Sequence, residues 1–265
     1  MSREIFAHHA HLHPKDERPH GSTDDLFRTL DACNIARCVA FAPMPHRTQL
    51  ASPNDWLAEE IAKSKGRLEG FGVIDVRRDD IEQQVQHIPE LNLRGIKLHP
   101  ASQQFHLMED KAKRIYAEAE KLHLPISFHT GVHYYRISCY NMLLYDEVAF
   151  LYPHLKFCME HIGGYSFFKE GVAVMVNNSR KTMPYAGMTS VSDRGKEKHW
   201  YLTDEQINEL RWMTGDDHMI FGLDFPYHTA AHLKETILRF ERMDWPEETK
   251  DKLFGGNLKV FLGME

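Results

Sequence analysis

Short apolar runs alternate with longer amphipathic stretches along the whole chain, and the two carry different periods. Segments 5–11, 37–42, 68–76, 94–99, 125–129, 156–161, 184–189 and 219–224 are compact and rich in apolar residues, which predicts strands. Between and after them, 23–33, 53–65, 80–91, 109–122, 141–152, 165–177, 204–213 and 230–242 place apolar residues three and four apart, which predicts helices with one buried face. The stretch 171–178, GVAVMVNN, also fits a strand, and that reading would slip the seventh unit by one element. The closing PEETKDKLFGGNLKVFLGME reads as two short helices broken at Gly255 and Gly256.

Local chemistry supports the boundaries. Ser52 ahead of Pro53 offers a capping acceptor and a proline at the first helical position. Thr203 with Gln206 fits a capping box, and Gly66 and Gly215 stand where a left-handed stop is wanted. Eight β-α units without a linker rich in Pro, Gly or Ser predict one (β/α)₈ barrel over residues 1–265, rather than an open doubly wound sheet. The polar, charged segment 187–199 predicts a flap over one end of that barrel.

Composition narrows the partners. The chain has 265 residues, 42% of them hydrophobic and 26% charged, which is enough apolar material for a large core. A net charge of -6 with no basic run argues against nucleic acid. No apolar run approaches the roughly 18 residues of a membrane span, and the first residues lack the pattern of a secretory signal. Cys33, Cys38, Cys139 and Cys158 form no C-x-x-C pair, so reduced thiols in a cytoplasmic protein are expected. A homo-oligomer is compatible with all of this.

Candidate chemistry concentrates at strand ends. The segment HHAHLHP, 8–14, threads alanine and leucine between its histidines, unlike an affinity tag, and alternates like a strand. Regular alternation puts His9, His11 and His13 on one side and Phe6, His8 and Leu12 on the other. His-x-His at a strand end is a two-pronged claw for a cation. The other predicted strands end on His99, His129, His161 and Asp224, where a barrel carries its catalytic groups. Parity turns Gly95, Lys97 and His99 inward, with Ser127 and His129, and with Gly222 and Asp224. Facing His161 inward sends Glu160 toward the helices.

The segments HAHLHP, GIKLHP, PISFHTG, LKFCMEHIGG, MIFGLDFPY and GGNLKVFLGM, in this order over nearly the whole chain, resemble the signature segments of the amidohydrolase superfamily, in particular its amidohydrolase-2 branch. The resemblance implies a metal site at the C-terminal ends of the barrel strands. It makes His11, His13, His129 and Asp224 the metal ligands, with Asp224 also able to accept a proton. His161 becomes the residue that orients or deprotonates a metal-bound water. One divalent ion is implied and no second metal is expected; zinc suits the imidazole and carboxylate set, with manganese, iron and cobalt compatible. The branch usually has an acidic residue two positions before its first ligand histidine, where this chain has His9, so His9 is a possible substitute in orienting the claw.

The residues keep other readings open. His161 alone could be a buried histidine bonded to a carbonyl, and His99 reads better as pocket wall than as ligand. Lys97 could be a barrel ion-pair partner, a carboxylate anchor or a carbamylated bridge between two metals, as in other branches of the superfamily. Asp224 could cap the helix after Pro226, although its parity with Gly222 argues for the interior.

The leading functional expectation is metal-assisted hydrolysis of a small, carboxylate-bearing substrate such as a lactone, amide or ester. The alternative is a non-oxidative decarboxylase or other lyase with the same site. A third reading is a metal-binding protein without catalysis, against which stands a barrel mouth carrying Lys97, His99, Tyr134, Tyr135, Arg136 and Arg180. Those residues suggest an anionic small-molecule substrate.

Overall fold

The computed structural model describes residues 3–264. Nine parallel strands form one sheet: β1 (Ile5–His11), β2 (Ile35–Phe41), β3 (Leu68–Val73), β4 (Gly95–Leu98), β5 (Ile126–His129), β6 (Phe157–Glu160), β7 (Tyr185–Gly187), β8 (Met219–Ile220) and β9 (Gly222–Phe225). Their order is β8-β7-β6-β5-β4-β3-β2-β1-β9. β8 pairs with β7 while β9 pairs with β1, and only Phe221 separates β8 from β9. The two are halves of the predicted eighth strand, so the chain closes the ring and the expected (β/α)₈ barrel results.

Helices α1 (Thr23–Ala32), α2 (Pro53–Lys63), α3 (Ile81–Glu90), α4 (Pro100–Gln103), α5 (Asp110–Lys121), α6 (Leu143–Leu151), α7 (Gly164–Asn177), α8 (Asp204–Thr214) and α9 (Ala230–Glu241) follow the strands. The ambiguous segment 171–178 belongs to α7, whose Phe168, Gly171, Val172 and Met175 form a buried face at helical spacing. The seventh unit therefore keeps its register. Thr203 and Gln206 form the expected capping box on α8, and Gly66 and Gly215 take left-handed φ values of 81° and 77°. Ser52 departs from expectation: Pro53 opens α2, but the serine side chain makes no capping bond.

Two apolar layers hold the barrel. The outer one lies between strands and helices; the inner one contains Phe6, Val39, Phe41, Phe71, Tyr185 and Ile220. After α10 (Glu247–Asp251) and one wide turn over Lys252–Gly256, α11 (Asn257–Phe261) adds Leu258 and Phe261 to this inner cluster and plugs the end opposite the site. Gly255 lets that segment approach, since a Cβ there would come 3.1 Å from Cβ of Phe6. Each phenylalanine buried in this plug contributes roughly 1.5–3 kcal/mol.

Strand β1 corrects the expected faces. Phe6 and His8 point into the barrel, where His8 packs edge-on against Phe41, Phe71 and Phe261. Ala7, Ala10 and Leu12 join the outer layer. The pairing with β2 shifts between Ala7 and Ala10, and His9 takes a left-handed φ of 69°, so this bulge turns His9 inward as well. Regular alternation fails again at the end of β6, where His161 and Ile162 have φ values of 65° and 40°. Glu160 and His161 consequently both face the interior, against the expectation that Glu160 points to the helices.

Segment 187–199 packs over the site end of the barrel rather than standing away from it. Glu197 is buried there, its Oε2 accepting from the backbone N–H groups of Ser192 and Asp193 at 2.6 Å each. Among the described residues no helix is long and apolar enough to cross a membrane.

Candidate active site

Three ligand atoms converge where β1 meets β9. His9 Nε2 lies 3.1 Å from His11 Nε2 and 3.4 Å from Asp224 Oδ1, and His11 Nε2 lies 3.7 Å from the same oxygen. Tetrahedral ligands about 2.0–2.1 Å from a zinc ion stand about 3.3 Å apart, so the triangle has the size of a metal site. Backbone strain builds it: His9 and Asp224, with φ of 53°, are non-glycine residues in the left-handed region. Burial pulls His9 down to about 4, with the Lys97 charge acting the same way and Glu160 opposing. Burial also carries His11 well below its ordinary value. For Asp224 burial acts upward, but His9, His161 and His228, with a 2.6 Å hydrogen bond from Ser190 Oγ, hold the carboxyl below the usual range. The site thus favours neutral imidazoles beside an ionised carboxylate, the forms that bind metal.

A second group of histidines has its protons set by the backbone. His161 Nδ1 lies 2.8 Å from the carbonyl oxygen of Thr189, which can only accept, so Nδ1 carries the hydrogen. In the neutral ring Nε2 then accepts, and it lies 3.2 Å from His129 Nδ1. That leaves His129 Nε2 as a bare lone pair, and this atom is buried without a hydrogen-bond partner. Burial, reinforced by the charges of His99 and His161, holds His129 well below its ordinary value. His99 stacks on His129 with centroids 3.8 Å apart, and Trp200 lies 5.1 Å from the His161 ring.

These groups line a cavity of about 750 Å³. His11, His99, His129, His161 and Asp224, the five predicted strand ends, all reach it. His13, implied as a ligand by the resemblance, also borders it, but packs on Gly21 and belongs to none of the converging ligand groups among the described residues; the histidines that converge with Asp224 are His9 and His11. Counted from that converging pair, the position two before is Ala7. Lys97 is fully buried beneath the cavity, its Nζ 3.4 Å from Ser127 Oγ and 4.8 Å from the centre of the Phe41 ring. Burial lowers it to about 8, against the pull of Glu160 and Asp224.

Of the proposed substrate contacts only His99 lines the cavity: Lys97 lies buried beneath it, and Tyr134, Arg136 and Arg180 lie outside it. Tyr134 is 96% exposed, and Arg136, beside it in the loop after β5, is exposed too. Arg180 follows the C-terminal end of α7, and barrel helices run back toward the end of the barrel away from the site. Tyr135 donates to the Gln104 carbonyl rather than entering the cavity. The cations that do line it are Arg18, Arg47 and Lys196, joined by Trp200, Tyr227 and His228. Sequence reasoning missed these because they sit on loops, whose course no periodicity reveals. Glu160 had a signal, a carboxylate next to a strand-end histidine, but strict alternation pointed it outward.

Known proteins share this fold and place the chain in a family. The amidohydrolase family model, of the amidohydrolase-2 type, matches residues 5–261. A 2-amino-3-carboxymuconate-6-semialdehyde decarboxylase from Dictyostelium discoideum is 24% identical over 241 residues, a match that spans 80% of this chain and 66% of that protein's length. Among solved structures, a dihydroxybenzoic acid decarboxylase from Polaromonas with bound manganese shares the fold with a TM-score of 0.72 and 15% identity, covering 99% of this chain and 97% of that one. An amidohydrolase from Burkholderia multivorans with bound zinc also has a TM-score of 0.72, at 11% identity, covering 99% of this chain and 100% of the other. With a family match running from the first strand to the last helix, the chain belongs to the amidohydrolase-2 family of metal-dependent enzymes.

Proposed function

We propose that this enzyme is a metal-dependent, non-oxidative decarboxylase of a small anionic carboxylic acid. The observation that carries the reading is the convergence of His9 Nε2, His11 Nε2 and Asp224 Oδ1 beside a cavity whose wall holds Arg18 and Arg47. Hydrolysis, the leading expectation from the sequence, yields to decarboxylation because the curated relative and the manganese-bound structure are both decarboxylases. A purely structural metal site gives way to an enzyme with the family assignment.

The residues present fit a divalent ion. His9, His11 and Asp224 would hold it, and His129, whose buried Nε2 has no hydrogen-bond partner among the described residues, converges with His99 and His133 on the same cavity. Zinc matches the donor set, and manganese matches the bound neighbour. When bound, the ion supplies positive charge that holds and polarises an oxygen of the substrate.

The chain's own residues account for the rest. Arg18 and Arg47 bind the substrate's anionic groups. Decarboxylation breaks the carbon-carbon bond to the carboxylate, leaves its electron pair on the substrate carbon and releases carbon dioxide. That carbon then takes one proton, which comes from solvent water. His161 Nε2, whose lone pair faces His129 Nδ1 in the neutral ring, carries it once it has taken a proton from that water, because Thr189 holds Nδ1 and keeps the ring turned. Trp200, tilted against the His161 ring at 5.1 Å, shields that side of the cavity from water. The test is turnover of aromatic and unsaturated carboxylic acids, set against lactones and amides, by protein loaded with zinc or manganese. Carbon dioxide released in step with acid consumed is the expected result; an acid or alcohol released from a lactone or amide, without carbon dioxide, returns the assignment to hydrolysis.

A further inference from the structure

Glu160 has no exposure to solvent, and no arginine or lysine side chain forms an ion pair with it among the described residues. Its carboxylate is surrounded instead by four short contacts. His8 Nδ1 lies 2.7 Å from Oε1, and Ser127 Oγ donates to that oxygen at 2.9 Å. His9 Nδ1 lies 2.9 Å from Oε2, which also accepts from Thr189 Oγ1 at 3.1 Å. Neither Nδ1 is aligned for a hydrogen bond, but at 2.7 and 2.9 Å from the oxygens of an ionised carboxylate a lone pair there would be repelled, so each contact favours the tautomer with its hydrogen on Nδ1. In a neutral His9 of that tautomer the Nε2 lone pair faces His11 and Asp224.

We propose that Glu160 is the positioning residue of the metal site, acting through His9 and steadied by the matching contact of His8. The inference rests on the reading of His9, His11 and Asp224 as ligands. Strand β1 supplies no carboxylate for the task, because Ala7, two positions before His9, faces the outer layer. Glu160 reaches His9 from β6, on another part of the ring, and two irregularities make the meeting possible: the bulge that turns His9 inward and the left-handed His161 that leaves Glu160 inward beside it. The second grip, by His8 and Ser127 on the other oxygen, stops the carboxylate from rotating. A carboxylate on the distal nitrogen of a ligand histidine fixes its tautomer and raises its basicity, and losing such a partner weakens metal binding about 10–100-fold.

Two measurements test this. Zinc affinity, read by competition with a chromophoric chelator, is compared in wild type, Glu160→Gln and Asp224→Asn, alongside circular dichroism to confirm folding. Long-range nitrogen-proton NMR of histidine-labelled, metal-free protein, with His9 assigned by its loss in His9→Gln, reads the tautomer directly. Expected are zinc binding weakened about 10–100-fold in Glu160→Gln, and a His9 ring protonated at Nδ1 in wild type that becomes a mixture of tautomers in the variant. If Glu160→Gln binds zinc as wild type does with an unchanged His9 spectrum, or if wild-type His9 is protonated at Nε2, the proposal is overturned. Should Glu160→Gln not fold, Glu160→Asp and the wild-type tautomer decide the same question. A wild type that binds no zinc or manganese yet holds His9 at Nδ1 sinks the ligand reading, and with it the metal-site role of Glu160, while upholding its control of the His9 tautomer.

Discussion

Gly187 on β7 packs directly against Glu160 on β6: a Cβ at this glycine would come 2.8 Å from Glu160 Cα and closer still to its carboxylate oxygen. The backbone there is ordinary, so the requirement for glycine is one of space. Gly187→Ala must move the carboxylate or the strand, and overpacking of this kind costs about 1–3 kcal/mol. Urea unfolding of the variant is expected to show that loss together with weaker zinc binding, because the displaced group is the one that contacts His9. A stability unchanged from wild type would mean that the two strands can part without cost.

The choice of ligand pair is open to a direct comparison. His9 and His11 converge with Asp224, whereas His13 borders the cavity beside Gly21. Metal analysis of purified variants is expected to find His9→Ala depleted and without turnover, and His13→Ala still loaded. The opposite pattern would restore His11 and His13, the pair that the family resemblance implied.

Much of this site could be read from sequence because strand ends are local features. His11, His99, His129, His161 and Asp224 each close a short apolar run, and all five reach one cavity. What escaped were departures from alternation. The left-handed turns at His9 and His161 reverse the direction of one side chain each, and nothing in HHAH or MEHIGG announces them except the crowding of polar residues itself. Loop residues escaped for another reason: Tyr134, Arg136 and Arg180 have the right chemistry, but only tertiary packing decides that Arg18 and Arg47 face the cavity instead. Hydrolysis and decarboxylation were inseparable because both use the same donors.

Chelation is expected to lower the thermal midpoint. An ion that binds only the folded chain stabilises it by about 4.1 kcal/mol at a free concentration 1,000 times its dissociation constant. Scanning calorimetry with and without a chelator should show a drop that added zinc or manganese reverses. A midpoint indifferent to both would argue that no ion is held at His9, His11 and Asp224.

The metal-free protein should lose stability as the pH falls from about 6.5 toward 4. Burial holds His9 at about 4, below the 6.5 of an unfolded histidine, so between these values the unfolded chain binds a proton that the folded one refuses. The stability is fully present above 6.5 and is lost as pH falls through the window, by roughly 3 kcal/mol for His9 alone. His13 shifts the same way, also to about 4, with a smaller effect because solvent reaches it. Denaturant titrations at a series of pH values measure the slope; a flat profile between 7 and 4.5 would show that these rings are solvated in the absence of metal.

Arg47 makes no ion pair with any described residue although it lines the cavity, whereas Arg18 is held against Tyr227, its guanidinium 4.8 Å from the ring centre. An unpaired guanidinium lining the same cavity as the proposed metal site is suited to a second anionic group on the substrate. Such a contact is made equally in ground and transition states, so its loss raises KM and spares kcat. Arg47→Ala is therefore expected to raise KM about tenfold, equivalent to about 1.4 kcal/mol, with kcat changed little. Arg47→Lys keeps the charge without the bidentate fork and should fall between the two. Arg136→Ala and Arg180→Ala, at exposed positions outside the cavity, serve as controls and should leave both constants within about twofold. If Arg136→Ala raised KM while Arg47→Ala did not, the loop after β5 would have to fold over the cavity when substrate binds, and the anion-binding wall would belong to it.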